Sequence, residues 1–216
     1  MERYEVLYGD QVTRKHFTSV VELDGRNFVG FQTPVDFLWK LYKNYPESFI
    51  VLWDNQADKA VGYMSVFPVN NNFLFRHTKA GERFSHNAFE DPVYWTNNSI
   101  VHMNVYTFCI DKNLRGNTPI RDGKPAFKLL NEGLLRLLVS FAKRGIFVIH
   151  LFMKCNSDKA IDYAKSLGLK EVDKCVVQNR YVYMGQLTET SYKKCFNNPE
   201  FVDAYRGFWA GMSIKR

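Results

Sequence analysis

Two stretches of this 216-residue sequence gather residue types that do chemistry. The first is IVHMNVYTFCI, residues 100–110. As a strand it turns alternate side chains to opposite faces. His102, Asn104, Tyr106 and Phe108 then share one face, and Val101, Met103 and Val105 share the other. A polar stripe on so apolar a strand is unusual, because buried polar groups need partners. An ordinary histidine titrates near pH ~6.5, so His102 can exchange a proton at neutral pH, and Tyr106 can relay one through water. A hydrogen-bonded strand histidine without chemistry fits the same residues equally well.

The second stretch follows directly. Arg115, Gly116, Asn117, Arg121, Gly123 and Lys124 lie between the strand's end and a helix opened by Pro125. Free N–H groups at a helix start converge where the helix dipole favours negative charge. Glycine lets backbone approach a phosphate closely, and arginine or lysine adds charge-assisted hydrogen bonds. The pattern has the form of an anion site, a form shared by many strand-to-helix loops that bind nothing.

The elements around these stretches read as follows. Tyr4 to Tyr8 alternates as a short strand, and Asp10 suits the cap of a helix through about Leu23. Pro34 opens a second helix carrying Phe37, Leu38, Leu41 and Tyr42, which Tyr45-Pro46 ends. FIVLW (49–53) and AVGYMSVF (60–67) flank the polar turn NQADK as a hairpin. After the strand at 100–110, the helix from Pro125 has an apolar face of Phe127, Leu130, Leu134, Leu137, Leu138 and Phe141. Lys143, Arg144 and Gly145 stop it. IFVIHLFM (146–153) is a buried strand in which His150 reads as structural. Ser157 or Asp158 caps a short helix to Leu167, with Gly168 as its stop. VDKCVVQNRYVYMGQL makes a hairpin around Gln178-Asn179, and an amphipathic helix from Pro199 to Met212 carries Phe201, Tyr205, Phe208 and Trp209.

This order gives an α/β (α+β) chain, expected as a single domain over 1–216 with a mixed central sheet of about six or seven strands flanked by helices. The strand–helix–strand unit at 100–153 is expected to be parallel and right-handed. Residues 70–97 form a long insertion with scattered aromatics, and 189–216 a C-terminal helical extension that packs on its own chain or pairs two chains as a homodimer.

Composition narrows the classes of function. Hydrophobic residues at 46% supply a core and exclude a disordered chain. No apolar run reaches the ~18–20 residues that span a bilayer, and the first ten residues hold no signal-peptide core, so no membrane partner is expected. Cys109, Cys155, Cys175 and Cys195 stand far apart without a CxxC pair, which points to the reducing cytoplasm and to no metal. The net charge of +7 has no basic run behind it, so nucleic acid is not an expected partner.

The element order resembles that of the GNAT acyl-CoA N-acyltransferases over most of residues 1–187. FIVLWDNQADKAVGYMSVFPV, with its Gly62-Tyr63 pair, looks like that family's second and third strands. CIDKNLRGN looks like its fourth-strand exit and pyrophosphate loop, KPAFKLLNEGLLRLLVSFAKRG like the following helix, and SDKAIDYAKSLGLKEV like its second motif. The resemblance implies acetyl-CoA or another acyl-CoA as co-substrate, with no metal. It places the pantetheine arm beside Phe108, Cys109 and Ile110, and the pyrophosphate at Arg115, Gly116, Asn117, Gly123 and Lys124. Asn156 or Ser157 would also bond the pantetheine. The resemblance points to the positions of Asn104 and Tyr163, which with His102 and Tyr106 from the polar face make the expected catalytic set. His102 and Tyr106 would take the amine's proton, by water if need be, and Tyr163 would give one to the leaving thiolate. The acceptor would be a small-molecule or peptide amine, with 70–97 covering its site and Glu82, Glu90 and Asp91 favouring a cation.

Three departures from the family's pattern stand beside it. Asn104 occupies the place of a frequent glutamate, and Tyr163 sits one residue before the usual tyrosine position. With TPIRD (118–122) as an insertion, Gly123 is the loop's first glycine, but Pro125, which has no N–H, replaces the second. These departures keep two alternatives open: a catalytically degenerate GNAT-like ligand-binding module, and an acyltransferase whose donor is an acyl-carrier protein docked on Arg115, Arg121 and Lys124.

Overall fold

The structure is a computed structural model that describes residues 2–28, 34–78, 89, 92–155, 157–175, 180–186 and 198–213. The strands are β1 (Tyr4–Tyr8), β2 (Phe49–Asp54), β3 (Lys59–Val69), β4 (Ile100–Ile110), β5 (Phe147–Cys155), β6 (Lys170–Cys175) and β7 (Arg180–Gln186). They form one mixed seven-stranded sheet in the order β1-β2-β3-β4-β5-β7-β6. The described helices are α1 (Arg14–Asn27), α2 (Val35–Asn44), α3 (Asn71–Thr78), α4 (Ala126–Lys143), α5 (Asp158–Ser166) and α6 (Pro199–Ser213). Two compact units divide the chain: Met1–Val66 with Thr107–Leu137, and Phe67–Tyr106 with Leu138–Arg216.

In the first unit β1 and β2 pair antiparallel from Tyr4↔Asp54 to Tyr8↔Ile50, and β2 pairs antiparallel with β3. The expected hairpin is present. Its turn is held by the Asp54 carboxylate, which accepts from the N–H groups of Gln56 and Ala57 at 3.0 and 3.1 Å. Asp10 does not cap α1. It lies in a 3-10 turn, Gly9–Gln11, and the helix begins after Thr13, whose N–H donates to His16 Nδ1 at 3.1 Å. Phe17 on α1 packs against Trp39 and Tyr42 of α2 and against Phe49, with ring centroids 4.6–5.1 Å apart. Gly133 brings α4 down onto this sheet. A Cβ there would come within 2.4 Å of Ile50 Cγ2 and 2.6 Å of Val6 Cγ1, so glycine is required by the close approach.

In the second unit β4 and β5 run parallel, as expected of the strand–helix–strand unit, and β5–β7 and β7–β6 are antiparallel. The β4–β5 register holds a bulge: Val101 lies opposite Val148, but His102 lies opposite His150, leaving Ile149 extra. Among the described residues the β5–β7 ladder runs from His150↔Gln186 to Cys155↔Tyr181, and the Val148 N–H bonds to the Tyr205 hydroxyl oxygen at 3.2 Å. The C-terminal helix thus packs on its own chain. Phe201, Tyr205 and Trp209 of α6 are buried, and Phe208 stacks on Phe147 at 4.3 Å. Within the 70–97 insertion, Phe73 and Trp95 are core residues, set against Phe152 and Phe141. Glu82, Glu90 and Asp91 lie outside the described residues.

Candidate functional site

The polar stripe on β4 is present, and it meets a partner that the sequence reading missed. His102 Nδ1 lies 3.0 Å from His150 Nδ1, with ring centroids 4.9 Å apart and planes inclined by 34°. The bulge at Ile149 brings the two rings into register. Both are half-buried. Burial lowers both pKa values, and the neighbouring His150 lowers that of His102 further, so both rings are neutral at pH 7 and able to accept a proton. The signal for His150 was in the sequence: a lone polar residue within an eight-residue apolar run.

Asn104 on the same face is buried, and its amide offers no basic nitrogen. Tyr106 is half-buried and packs edge-on to Phe67 at 5.9 Å. Tyr163, in the last turn of α5, is buried. Burial drives its phenol pKa far above the usual tyrosine value, so the hydroxyl stays protonated and is a weaker acid than an ordinary tyrosine. Ser157 is the N-cap of α5, its Oγ accepting from the Ala160 N–H at 3.3 Å. Asn156 lies outside the described residues. Burial pushes the Cys155 thiol up to about 11, and its Sγ donates to the Ala160 carbonyl at 3.4 Å. That thiol is no nucleophile at neutral pH.

In the first unit, the end of β4 leads into the expected anion loop. Cys109 is buried, and burial, reinforced by the Asp24 carboxylate, pushes its thiol up to about 12. Phe108 is half-buried and Ile110 buried. The loop is tied back by Arg115, whose Nε donates to the Ile110 carbonyl at 2.9 Å and whose Nη2 donates to Asn27 Oδ1. Gly116 and Asn117 are exposed, and nothing lies within 4 Å of where a Gly116 Cβ would stand.

The other two cations are committed elsewhere. Arg121 is mostly covered, donates from Nη1 to the Tyr4 carbonyl at 3.0 Å, and lies 3.5 Å from Glu2 and 3.3 Å from Asp122. Lys124 pairs with Glu132 at 2.6 Å. Gly123 has a local task. Asp122 (φ 51°) and Gly123 (φ 70°) are the central pair of a tight turn closed by the Lys124 N–H on the Arg121 carbonyl at 2.7 Å, the pattern of a type I′ hairpin. The Asp-Gly dipeptide announces that turn in the sequence. Among the described residues, no group of three or more His, Cys, Asp or Glu side chains could hold a metal ion.

β4 extends beyond its pairing with β5. Its ladder with β5 ends at Val105↔Met153, although the strands run on to Ile110 and Cys155.

Solved structures with this arrangement are known. The NatC complex bound to Gag peptide and CoA superposes with a TM-score of 0.55 at 10% identity, over 87% of this chain and 100% of that one. Ard1 from Thermoplasma volcanium gives 0.53 at 11% identity, over 86% and 98%. The chain has the GNAT fold. Naa50 from Arabidopsis thaliana, in complex with the bisubstrate analogue CoA-Ac-MVNAL, shares this GNAT fold at a TM-score of 0.50 and 14% identity, over 86% and 99%. No family model matches the sequence, and no curated protein matches it. Within the GNAT fold, the segments that the sequence resemblance marked fall on β2 and β3, on β4, the loop after it and α4, and on α5 with the start of β6.

Proposed function

We propose that this chain is an acyl-CoA N-acyltransferase, moving an acetyl or short acyl group to a primary amine of a small molecule or peptide by direct attack. The observation that carries the reading is the early end of the β4–β5 ladder, at Val105↔Met153. Beyond it β4 continues from Tyr106 to Ile110 outside that ladder, the stretch beside which the resemblance sets the pantetheine arm. The open backbone at Gly116 and the start of α4 suit a pyrophosphate. Arg115 serves that loop by holding it to Ile110 and Asn27. Two of the three structures compared above hold CoA or a CoA conjugate together with a peptide, which supports both the donor and the amine class.

The chemistry assigned to the side chains follows from their state. Neutral His102, with Tyr106 relaying through water, takes the proton of the attacking amine. Tyr163, near the end of α5 and one residue before the family's usual tyrosine position, is assigned as the proton donor for the departing thiolate. Buried Cys109 and Cys155 thiols with raised pKa values fit direct attack without an acyl-cysteine.

A GNAT-like binding module is the competing reading. It is favoured by Arg121 and Lys124 being satisfied within the chain and by Asn104 replacing an acid. The same commitments count against an acyl-carrier protein docked on those cations. Calorimetry with acetyl-CoA tests the first step: saturable binding is expected, and no heat at millimolar acetyl-CoA contradicts the donor assignment.

A further inference from the structure

We infer that His102 and His150 work as one proton-transfer pair in which the hydrogen bond between their Nδ1 atoms forces opposite tautomers. This deepens the acyltransferase reading and rests on it for the step that is catalysed. The pairing of tautomers does not depend on that reading.

The argument starts from the 3.0 Å separation of the two Nδ1 atoms. A neutral imidazole has one N–H and one bare nitrogen, so a hydrogen bond at this distance needs Nδ1–H on one ring and bare Nδ1 on the other. The ring that donates then has a bare Nε2, and the ring that accepts carries Nε2–H. Whichever ring donates, the pair presents one proton acceptor and one proton donor at its outer nitrogens. Lone strand histidines have no such constraint.

The surroundings keep the pair neutral. Burial works against the charged form of both rings, and a protonated His150 would lower the His102 pKa further. The bulge that leaves Ile149 extra makes the contact, since an unbroken register would set His102 against Ile149.

The pair then moves a proton with full balance. An N–H bond of the amine, or of a water acting for it, breaks as a bond forms to the bare Nε2. The Nδ1 proton crosses to the other ring, and that half-buried ring releases its Nε2 proton to solvent water. Both rings end neutral with their tautomers exchanged. His150 is the positioning partner, setting which nitrogen of His102 is bare.

The test uses the full chain with ¹⁵N-labelled histidine. Long-range ¹⁵N–¹H spectra near pH 8 are expected to show one of the two rings as Nδ1–H and the other as Nε2–H. On acidification the pair should take one proton, and the second about 1 pH unit or more lower. Two rings of the same tautomer titrating independently overturn the inference, and this measurement needs neither a variant nor turnover.

In the amine-acylation assay, His150→Phe is expected to reduce kcat about tenfold or more and to move the acid limb of the pH profile toward the ordinary histidine value. His150→Gln serves as the second variant, with the same expectation. Unchanged kcat and an unchanged profile in a folded variant overturn the pairing role. No turnover of any amine by the wild-type chain contradicts the acyltransferase reading, while the spectra still decide the pair.

Discussion

Arg115 reaches back from the loop after β4 to the carbonyl of Ile110, the last residue of that strand, at 2.9 Å, and its other end is held by Asn27. The residue expected to meet a phosphate is therefore also the one that shapes the loop. Arg115→Gln should weaken acetyl-CoA binding about tenfold, or ~1.4 kcal/mol, the scale of one charge-assisted hydrogen bond. Arg121→Gln, which loses the bond to the Tyr4 carbonyl, should lower stability by about 1–2 kcal/mol and leave the affinity unchanged. Calorimetry and urea unfolding on both variants check the contrast.

Asp54 gives the fold an acid-sensitive joint. Burial works to raise its pKa, but the Arg3 guanidinium and the N–H groups of Ala57 and Gln56 outweigh it and hold the carboxyl below its usual value. A depressed folded-state pKa contributes stability above the unfolded value of ~3.9 and loses it as pH falls through the folded value. Asp54→Asn should cost about 1 kcal/mol at pH 7 and flatten the decline in stability below pH ~4. Urea midpoints measured from pH 7 to pH 3 show whether the wild-type and variant curves converge as expected.

Gly133 and Gly207 are both helical glycines with opposite prospects. Gly133→Ala drives a methyl into Ile50 and Val6, two stiff β-branched side chains, and should cost about 1–3 kcal/mol despite the helix propensity gained. Nothing lies within 4 Å of a Cβ at Gly207, so Gly207→Ala should stabilise by about 0.5–1 kcal/mol. Thermal melts of the two variants should move in opposite directions.

The two buried thiols make a chemical prediction. With pKa values raised to about 12 and about 11, Cys109 and Cys155 hold almost no thiolate at pH 7.5. Cys155→Ala should keep turnover within about twofold, and mass spectrometry during turnover should find no acylated protein. An acyl-enzyme that disappears in Cys155→Ala would contradict direct attack.

Much of the framework was legible in the sequence. The strand from Ile100 to Ile110 has the bounds its alternation predicts, because β-branched and aromatic residues fill it and Asp111 starts a turn. Ser157 caps its helix as its side chain dictates. Asp10 misled because Thr13, three residues later, caps as well, and a 3-10 turn fits between them. The His102–His150 pair was hidden for a different reason. It depends on one extra residue, Ile149, in the register of two strands 48 positions apart, which no single-strand pattern encodes. The basic loop was read by residue type alone. Type does not reveal that Glu132 lies one helical turn and more along α4, where it takes up Lys124.

Thiol release from acetyl-CoA across a panel of primary amines and peptides, at pH 7.5, tests the central claim most directly. Amine-dependent release that falls at least a hundredfold in His102→Ala, with acetyl-CoA binding intact, is the predicted result. Tight acetyl-CoA binding with no amine-dependent release by the wild-type chain would contradict it and leave the binding-module reading standing.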